Sequence, residues 1–237
     1  MRSDSQPAGQ NRDRGETQPT RTFIEAARRA QIVAAAIDTI AEVGYRQASL
    51  ARIAQRIGIS KGVIAYHFGS KEELIREVVG DVLNLAEAYM RPRIAAESGG
   101  PAVLRAYIES NLGFMAEHRN HLVAVVEIAR NADRADRAEA DRPDGAEGVG
   151  RSAGRPAQAL AGAQVALTQL LARFQAAGEL RDDFDPEVTA LAIRAAIDAV
   201  PRRLAERPQL DLTHHGRELA DLFDRATSPP GGGRSRR

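Results

Sequence analysis

Residues Ser49 to Leu74 read SLARIAQRIGISKGVIAYHFGSKEEL, and this stretch decides the fold. Ile53, Ala54 and Ile57 fall on one face at helical spacing, so a first short helix is expected there. Gly58 supplies the permissive backbone that ends it. Ser60 is the expected N-cap of a second helix, because a serine hydroxyl accepts one of the orphan N–H groups of a first turn. Ile64 and Phe68, four apart, anchor that second helix to a core. Its opposite face carries Gly62, Ala65 and Tyr66, flanked by Lys61 and Val63. Such a face is too small and too polar to fill a core, but it suits close approach to another molecule's backbone or base edges. Helix, short glycine turn and presented helix form the helix-turn-helix pattern that docks in the DNA major groove.

Working outward, Gly69-Ser70-Lys71-Glu72-Glu73 breaks the second helix and starts a longer one. Ser70 and Glu73 have capping-box spacing, and the stripe Leu74, Val78, Val82, Leu85 and Tyr89 follows to about Met90. A helix N-terminus beside the Lys71 cation is a natural phosphate site. Gly80 inside this helix marks either an interdomain hinge or close packing. Upstream, Thr22 to Glu25 has the same capping-box form, and Val33, Ile37, Ile40 and Ala41 continue a helix to Gly44. Residues 1–21 are polar and aperiodic, a disordered arm that either reaches DNA through its arginines or has no role.

Beyond about Gly99 the sequence becomes rich in Ala and Leu. Helices are expected at Pro101 to Glu117, Arg119 to Asn131, Arg155 to Ala177, Asp185 to Ala205 and Asp211 to Ala226. Pro201 should kink or end the fourth of these. Residues 133–155 lack apolar periodicity and read as a flexible loop, and 228–237 as a disordered tail. No stretch reads as a strand. The expectation is an all-α fold: a three-helix DNA-binding domain at 22–70 and a larger helical bundle at 71–227.

Composition bounds the function. The chain has 237 residues, 43% of them hydrophobic, with no Cys and no Trp. Disulfides and thiolate metal sites are therefore excluded. The first twenty residues hold no apolar run of signal-peptide type, and the longest uncharged run, Pro156 to Ala172, is too short to cross a bilayer. A cytoplasmic protein without membrane attachment is expected. Net charge is only +1, but residues 21–80 carry nine cations against six anions, and the two lysines of the chain, Lys61 and Lys71, both lie in the motif. A locally basic N-terminal third is the footprint of nucleic-acid contact. His118 and His121 lack further ligands at metal-binding spacing, and no nucleophile–base pair or glycine-rich phosphate loop stands out. No catalytic residue, cofactor or metal is expected.

The string from Ile53 to Leu74 resembles the DNA-binding signature of TetR/AcrR-type transcriptional regulators, with the likeness extending from about Phe23. The resemblance implies that Ser49, Tyr66, His67 and Lys71 contact phosphates. It implies that Lys61, Gly62 and Val63 face bases, with Arg52 reaching from the first helix and Ser60 at the turn. Phosphate contacts set register and base contacts select sequence. Lys61 suits guanine acceptors and Val63 a thymine methyl. Many relatives carry Thr or Ser at the Val63 position and an aromatic at the Ala65 position, so operator preference does not transfer.

The resemblance further implies a ligand-responsive repressor, homodimeric through its last long helices, acting on a palindromic double-stranded operator. It also implies a pocket for a small-molecule effector in the larger domain. Polar or aromatic residues set among apolar ones there are Tyr107, Asn111, Phe114, Met115, Glu127, Gln164, Thr168 and Phe174. The alternative is a helical small-molecule-binding or scaffold protein without DNA function.

Overall fold

The computed structural model describes residues 17–140 and 154–229. Its first four helices are α1 Thr17–Val43, α2 Leu50–Arg56, α3 Lys61–His67 and α4 Lys71–Ala95. Then follow α5 Gly100–Glu117, α6 Arg119–Ala140 and α7 Gly154–Ala176. The chain closes with α8 Pro186–Asp198, α9 Val200–Glu206 and α10 Leu212–Thr227. No strand occurs among the described residues. None of their helices is long and apolar enough to cross a membrane.

The helix ends follow local chemistry. Ser49, Ser60 and Ser70 each accept from the backbone N–H three residues on, at 3.2, 3.3 and 3.1 Å, and so cap α2, α3 and α4. Glu73 returns its carboxylate to Gly69 N rather than to Ser70, at 3.0 Å. Asp185 and Asp211 cap α8 and α10 in the same way. Gly44 and Gly58 end α1 and α2 at φ +79° and +68°, in the region that side chains with a Cβ avoid.

Two expected boundaries need correction. Helix α1 is already formed at Thr17, the first described residue, so Thr22 is an interior residue and its capping-box spacing is coincidental. The loop expected at 133–155 is helical up to Ala140. The sequence ADRADRAEA from Ala132 lacks an apolar stripe, yet its Ala, Arg and Glu residues are strong helix formers, and propensity alone carries the helix on. Residues 141–153 lie outside the described residues, as do 1–16 of the arm expected at 1–21 and 230–237 of the tail expected at 228–237. At Pro201 the expected break occurs: α8 stops at Asp198, and Ala199 stays right-handed (φ −75°, ψ −20°), so the chain bends rather than loops out.

Two apolar cores organise these helices. The first joins Ile32, Ile37 and Ile40 of α1 to Ile53, Ile64, Phe68, Leu74 and Val78, and continues into Phe114 of α5 and Ala124 and Ile128 of α6. The helix-turn-helix is therefore seated on the larger domain through α1 as well as through α4. The second core combines Leu104, Ile108 and Leu112 of α5 with Leu167 and Leu171 of α7, Ile193 and Ile197 of α8, and Leu212 and Ala220 of α10. Helix α10 lies close on α5: a Cβ on Gly216 would stand 3.2 Å from Leu112 Cβ. Helices α4 and α5 meet at Gly113, where an added Cβ would stand 2.9 Å from the Tyr89 hydroxyl. That hydroxyl donates to Glu117 at 2.6 Å, and the Arg93 guanidinium covers the Tyr89 ring at 3.4 Å.

Candidate nucleic-acid interface

Helix α3 is held by its buried side. Ile64 and Phe68 are fully buried, while Lys61, Gly62, Ala65 and Tyr66 face outward, Tyr66 with 71% of its surface exposed. A Cβ built on Gly62 would find only Ser60 Oγ, at 3.6 Å, so the protein itself leaves this backbone open. Val63 and His67 are half-buried on the flanks. The His67 ring stands edge-on to Tyr66 at 5.1 Å between centroids.

Around this face three helices begin at serine caps. Each capping oxygen uses a lone pair on its own helix, which leaves the hydroxyl hydrogen free to donate outward. Ser49 and Ser60 are exposed and Ser70 half-buried. Arg52 is exposed one turn into α2. A phosphate set against these helix ends would meet N–H groups, hydroxyls and cations together.

Three cations of the region also have internal duties. The Lys71 ammonium donates to the Tyr45 carbonyl at 2.9 Å and sits 4.3 Å from the centre of the Tyr45 ring. It thereby clamps the end of α1 to the start of α4, and burial pushes its pKa below the usual lysine value. An ammonium has three donors, so one or two remain for another acceptor. Arg29 donates to the His67 carbonyl at 2.5 Å, covers the Phe68 ring at 4.2 Å and pairs with Glu77 at 3.5 Å. It locks α1, α3 and α4 together, a role that sequence spacing does not reveal because its partners lie some forty residues away. Arg56 bonds Glu42 at 2.5 Å, and that hydrogen bond holds the Glu42 carboxyl below its usual pKa.

The residues suggested for an effector pocket lie on α5, α6 and α7. Phe114 is buried in the first core, 4.7 Å from the His118 ring. Glu127 on α6 pairs with Arg130 at 3.2 Å. Tyr107, Met115 and Phe174 belong to the second core. Asn111 is buried on α5 and donates to the Tyr107 carbonyl at 2.8 Å, while Thr168 donates to the Gln164 carbonyl at 3.1 Å on α7. An open groove of about 560 Å³ between α4, α5 and α10, edged by Arg93, Arg105 and Arg217, contains none of these residues. His118 and His121 stand edge-on at 5.3 Å, and no group of three metal-capable side chains occurs among the described residues. Arg194, which sequence reading passes over, is buried among apolar neighbours and donates to the Tyr107 hydroxyl at 3.0 Å. Its place on the stripe Ala190, Ile193, Ile197 was the available signal.

An open small-residue helix, a locked helix pair behind it and capped helix starts around it define a helix-turn-helix DNA-binding module carried on a helical companion domain. Residues 32–78 match the family described as bacterial regulatory proteins, tetR family. This N-terminal domain is similar to that of TetR-type regulators. The HTH-type transcriptional regulator BetI 1 of Chromohalobacter salexigens is 35% identical over 89 residues, 37% of this chain and 44% of that protein. BetI of Paraburkholderia phytofirmans is 39% identical over 85 residues, 35% of this chain and 44% of its own. These matches thus span less than half the length of either relative.

The fold extends further than the sequence likeness. The ketosteroid transcriptional regulator KstR2 of Mycobacterium tuberculosis superposes with a TM-score of 0.64 at 20% identity, over 85% of this chain and 95% of that one. FadR of Bacillus subtilis, a transcriptional regulator solved with stearoyl-CoA, gives 0.65 at 20% identity, over 82% and 96%. Both share the architecture of this chain.

Proposed function

We propose that the protein is a sequence-specific, ligand-responsive repressor of transcription that binds a palindromic operator as a cytoplasmic homodimer. The observation that carries this reading is the open face of α3, where Gly62 leaves backbone accessible between Lys61 and Tyr66. Lys61, Gly62 and Val63 meet base edges. Ser49, Ser60, Arg52, Tyr66, His67 and Lys71 fix the phosphate register around them.

The dimer is supported by an apolar surface on α7 and α8. Val188 and Leu191 are 63% and 53% exposed, and exposed Ala192, Ala195 and Ala199 continue their stripe along α8. Beside it on α7, Val165 is 56% exposed and is flanked by exposed Gly162, Ala166 and Ala172. Small residues allow close helix–helix approach, and a stripe of this kind is self-complementary across a two-fold axis. Two modules so joined reach half-sites about 34 Å apart. A small-molecule effector releases the operator by favouring an arrangement of the domains in which the two α3 helices no longer match that spacing.

The test is a mobility-shift and footprinting experiment with duplexes flanking the protein's own gene. A discrete complex covering two half-sites, lost steeply as salt rises, is expected. Equal affinity for flanking and random duplexes would refute the reading.

A further inference from the structure

The second domain buries a full positive charge that is incompletely satisfied. Arg194 of α8 is 7% exposed. One terminal nitrogen donates to the Tyr107 hydroxyl of α5 at 3.0 Å, and the other to Asp198 Oδ1, one turn along α8, at 2.5 Å. Its Nε–H is buried and has no acceptor, the sole such side-chain atom among the described residues. Leaving one donor of a buried cation unpaired is costly, and an apolar side chain of similar volume would fit between Ile193 and Ile197 without that penalty. Stability therefore does not account for an arginine here.

The surroundings point to a ligand. The counter-charge, Asp198, keeps 39% of its side chain exposed, so it reaches the guanidinium from the edge of the domain. Burial also pushes the Asp198 pKa above its usual value. Tyr107 spends an oxygen lone pair on Arg194 and keeps its hydroxyl hydrogen to give. Helix α5 packs extensively on α10 and α4 and more sparsely on α7 and α8. Gln164 and Thr168 lie half-buried on the same face of α7 as buried Leu167 and Leu171, lining an otherwise apolar wall.

We infer that Arg194 and the Tyr107 hydroxyl form the recognition site for an organic carboxylate with an apolar body, which enters the seam between α5, α7 and α8 and displaces Asp198 from the guanidinium. The flat fork of the guanidinium fits a carboxylate through two parallel bonds, and the incoming carboxylate gives the orphaned Nε–H its acceptor. Helix α8 carries Arg194 on its inner side and Val188, Leu191 and Ala195 on its outer side. Displacing Asp198 thus acts on the helix proposed to hold the dimer. That regulatory consequence rests on the repressor reading; the binding site does not.

The test uses the full chain and two pairs of probes, octanoate with octanamide and 4-phenylbutyrate with 4-phenylbutanamide. In isothermal titration each acid should bind about tenfold or more tightly than its uncharged amide, the ratio a charge-assisted pair contributes. Arg194→Gln should erase that ratio while Arg194→Lys retains part of it, both variants keeping the wild-type circular dichroism and sedimentation. Should Arg194→Gln fail to fold, Asp198→Asn serves instead: removal of the competing carboxylate should raise affinity for the acids and leave the amides unchanged. Equal binding of acid and amide, no binding of either, or an Asp198→Asn variant with no gain overturns the inference. Tighter binding of octyl phosphate than of octanoate overturns its carboxylate assignment. Operator binding is measured separately. An intact operator shift without carboxylate preference refutes this site alone; Arg194-dependent carboxylate binding without any operator shift refutes the repressor reading alone.

Discussion

The helix-turn-helix and the α5–α10 bundle store their information differently. The first matches relatives at 35–39% identity over fewer than ninety residues, whereas the fold of nearly the whole chain is shared at 20% identity. On the proposed function, α3 works through outward side chains at fixed positions on a short helix, where each substitution changes a contact. In the bundle it rests on volume and on a few buried polar groups, and many apolar sequences fill the same volume. Sequence likeness therefore fades where the mechanism moves from surface chemistry to packing.

This contrast can be broken or sharpened at six points. Phe68→Ala empties the centre of the first core and should cost about 3–5 kcal/mol in urea unfolding, as truncation of a buried Phe does. If the two regions are energetically separate, operator binding will vanish while the dimer persists in sedimentation; because the first core reaches α5 and α6, some loss of dimer would show how far they are joined. Leu191→Asp places a charge on the α8 stripe. It should convert the dimer to monomer and lower operator affinity by roughly 100-fold, since half-sites would then be bound singly. Unchanged sedimentation would remove α8 from the interface.

Within the DNA-facing surface, Lys61→Ala should cost about 1–3 kcal/mol on the preferred operator and relax one base position. Lys71→Ala should weaken all duplexes alike and flatten the salt slope by about one unit. It should also lower stability, because the clamp to Tyr45 is lost. Gly62→Ala separates folding from function more cleanly: it should stabilise the protein by about 0.5–1 kcal/mol, the gain of Ala over Gly within a helix, yet impair operator binding. Unimpaired binding would mean that the duplex does not approach α3 closely.

The smallest effect is at the junction of the two regions. Burial, and then neighbouring His118, hold His121 below the ordinary histidine pKa of 6.5, while Asp38 and Asp81 partly offset them. A depressed pKa means that the folded state prefers the neutral ring. Its contribution is therefore present above pH 6.5 and lost as the solution is acidified through the lower folded-state value. His121→Gln should lessen the fall in stability as the solution is acidified below pH 6.5, measured by urea unfolding.

Much of the architecture was legible because it is local. The serine caps, the glycines at 44 and 58 and the Pro201 bend are decided within four residues of themselves. Lys71 was legible only as a basic residue of the motif and Arg29 only as one of the cations of residues 21–80, because their carbonyl partners lie 26 and 38 positions away in sequence. The continuation of α6 was missed for the opposite reason: helix-forming residues without an apolar stripe give periodicity nothing to register. Arg194 was hidden by its surroundings, a charge on the inward stripe of an alanine-rich helix, where composition points to packing. The pocket candidates were chosen residue by residue, and only coordinates show which of them share a wall.

The seat of Tyr89 over Gly113 limits how motion can travel. A side chain keyed into a gap only a hydrogen atom wide prevents α5 from sliding one turn along α4 unless the ring is first withdrawn, its bond to Glu117 broken and Arg93 displaced. Tilting the pair as a unit requires none of this. Of these two motions, a joint tilt of α4 and α5 is the one this seat leaves open.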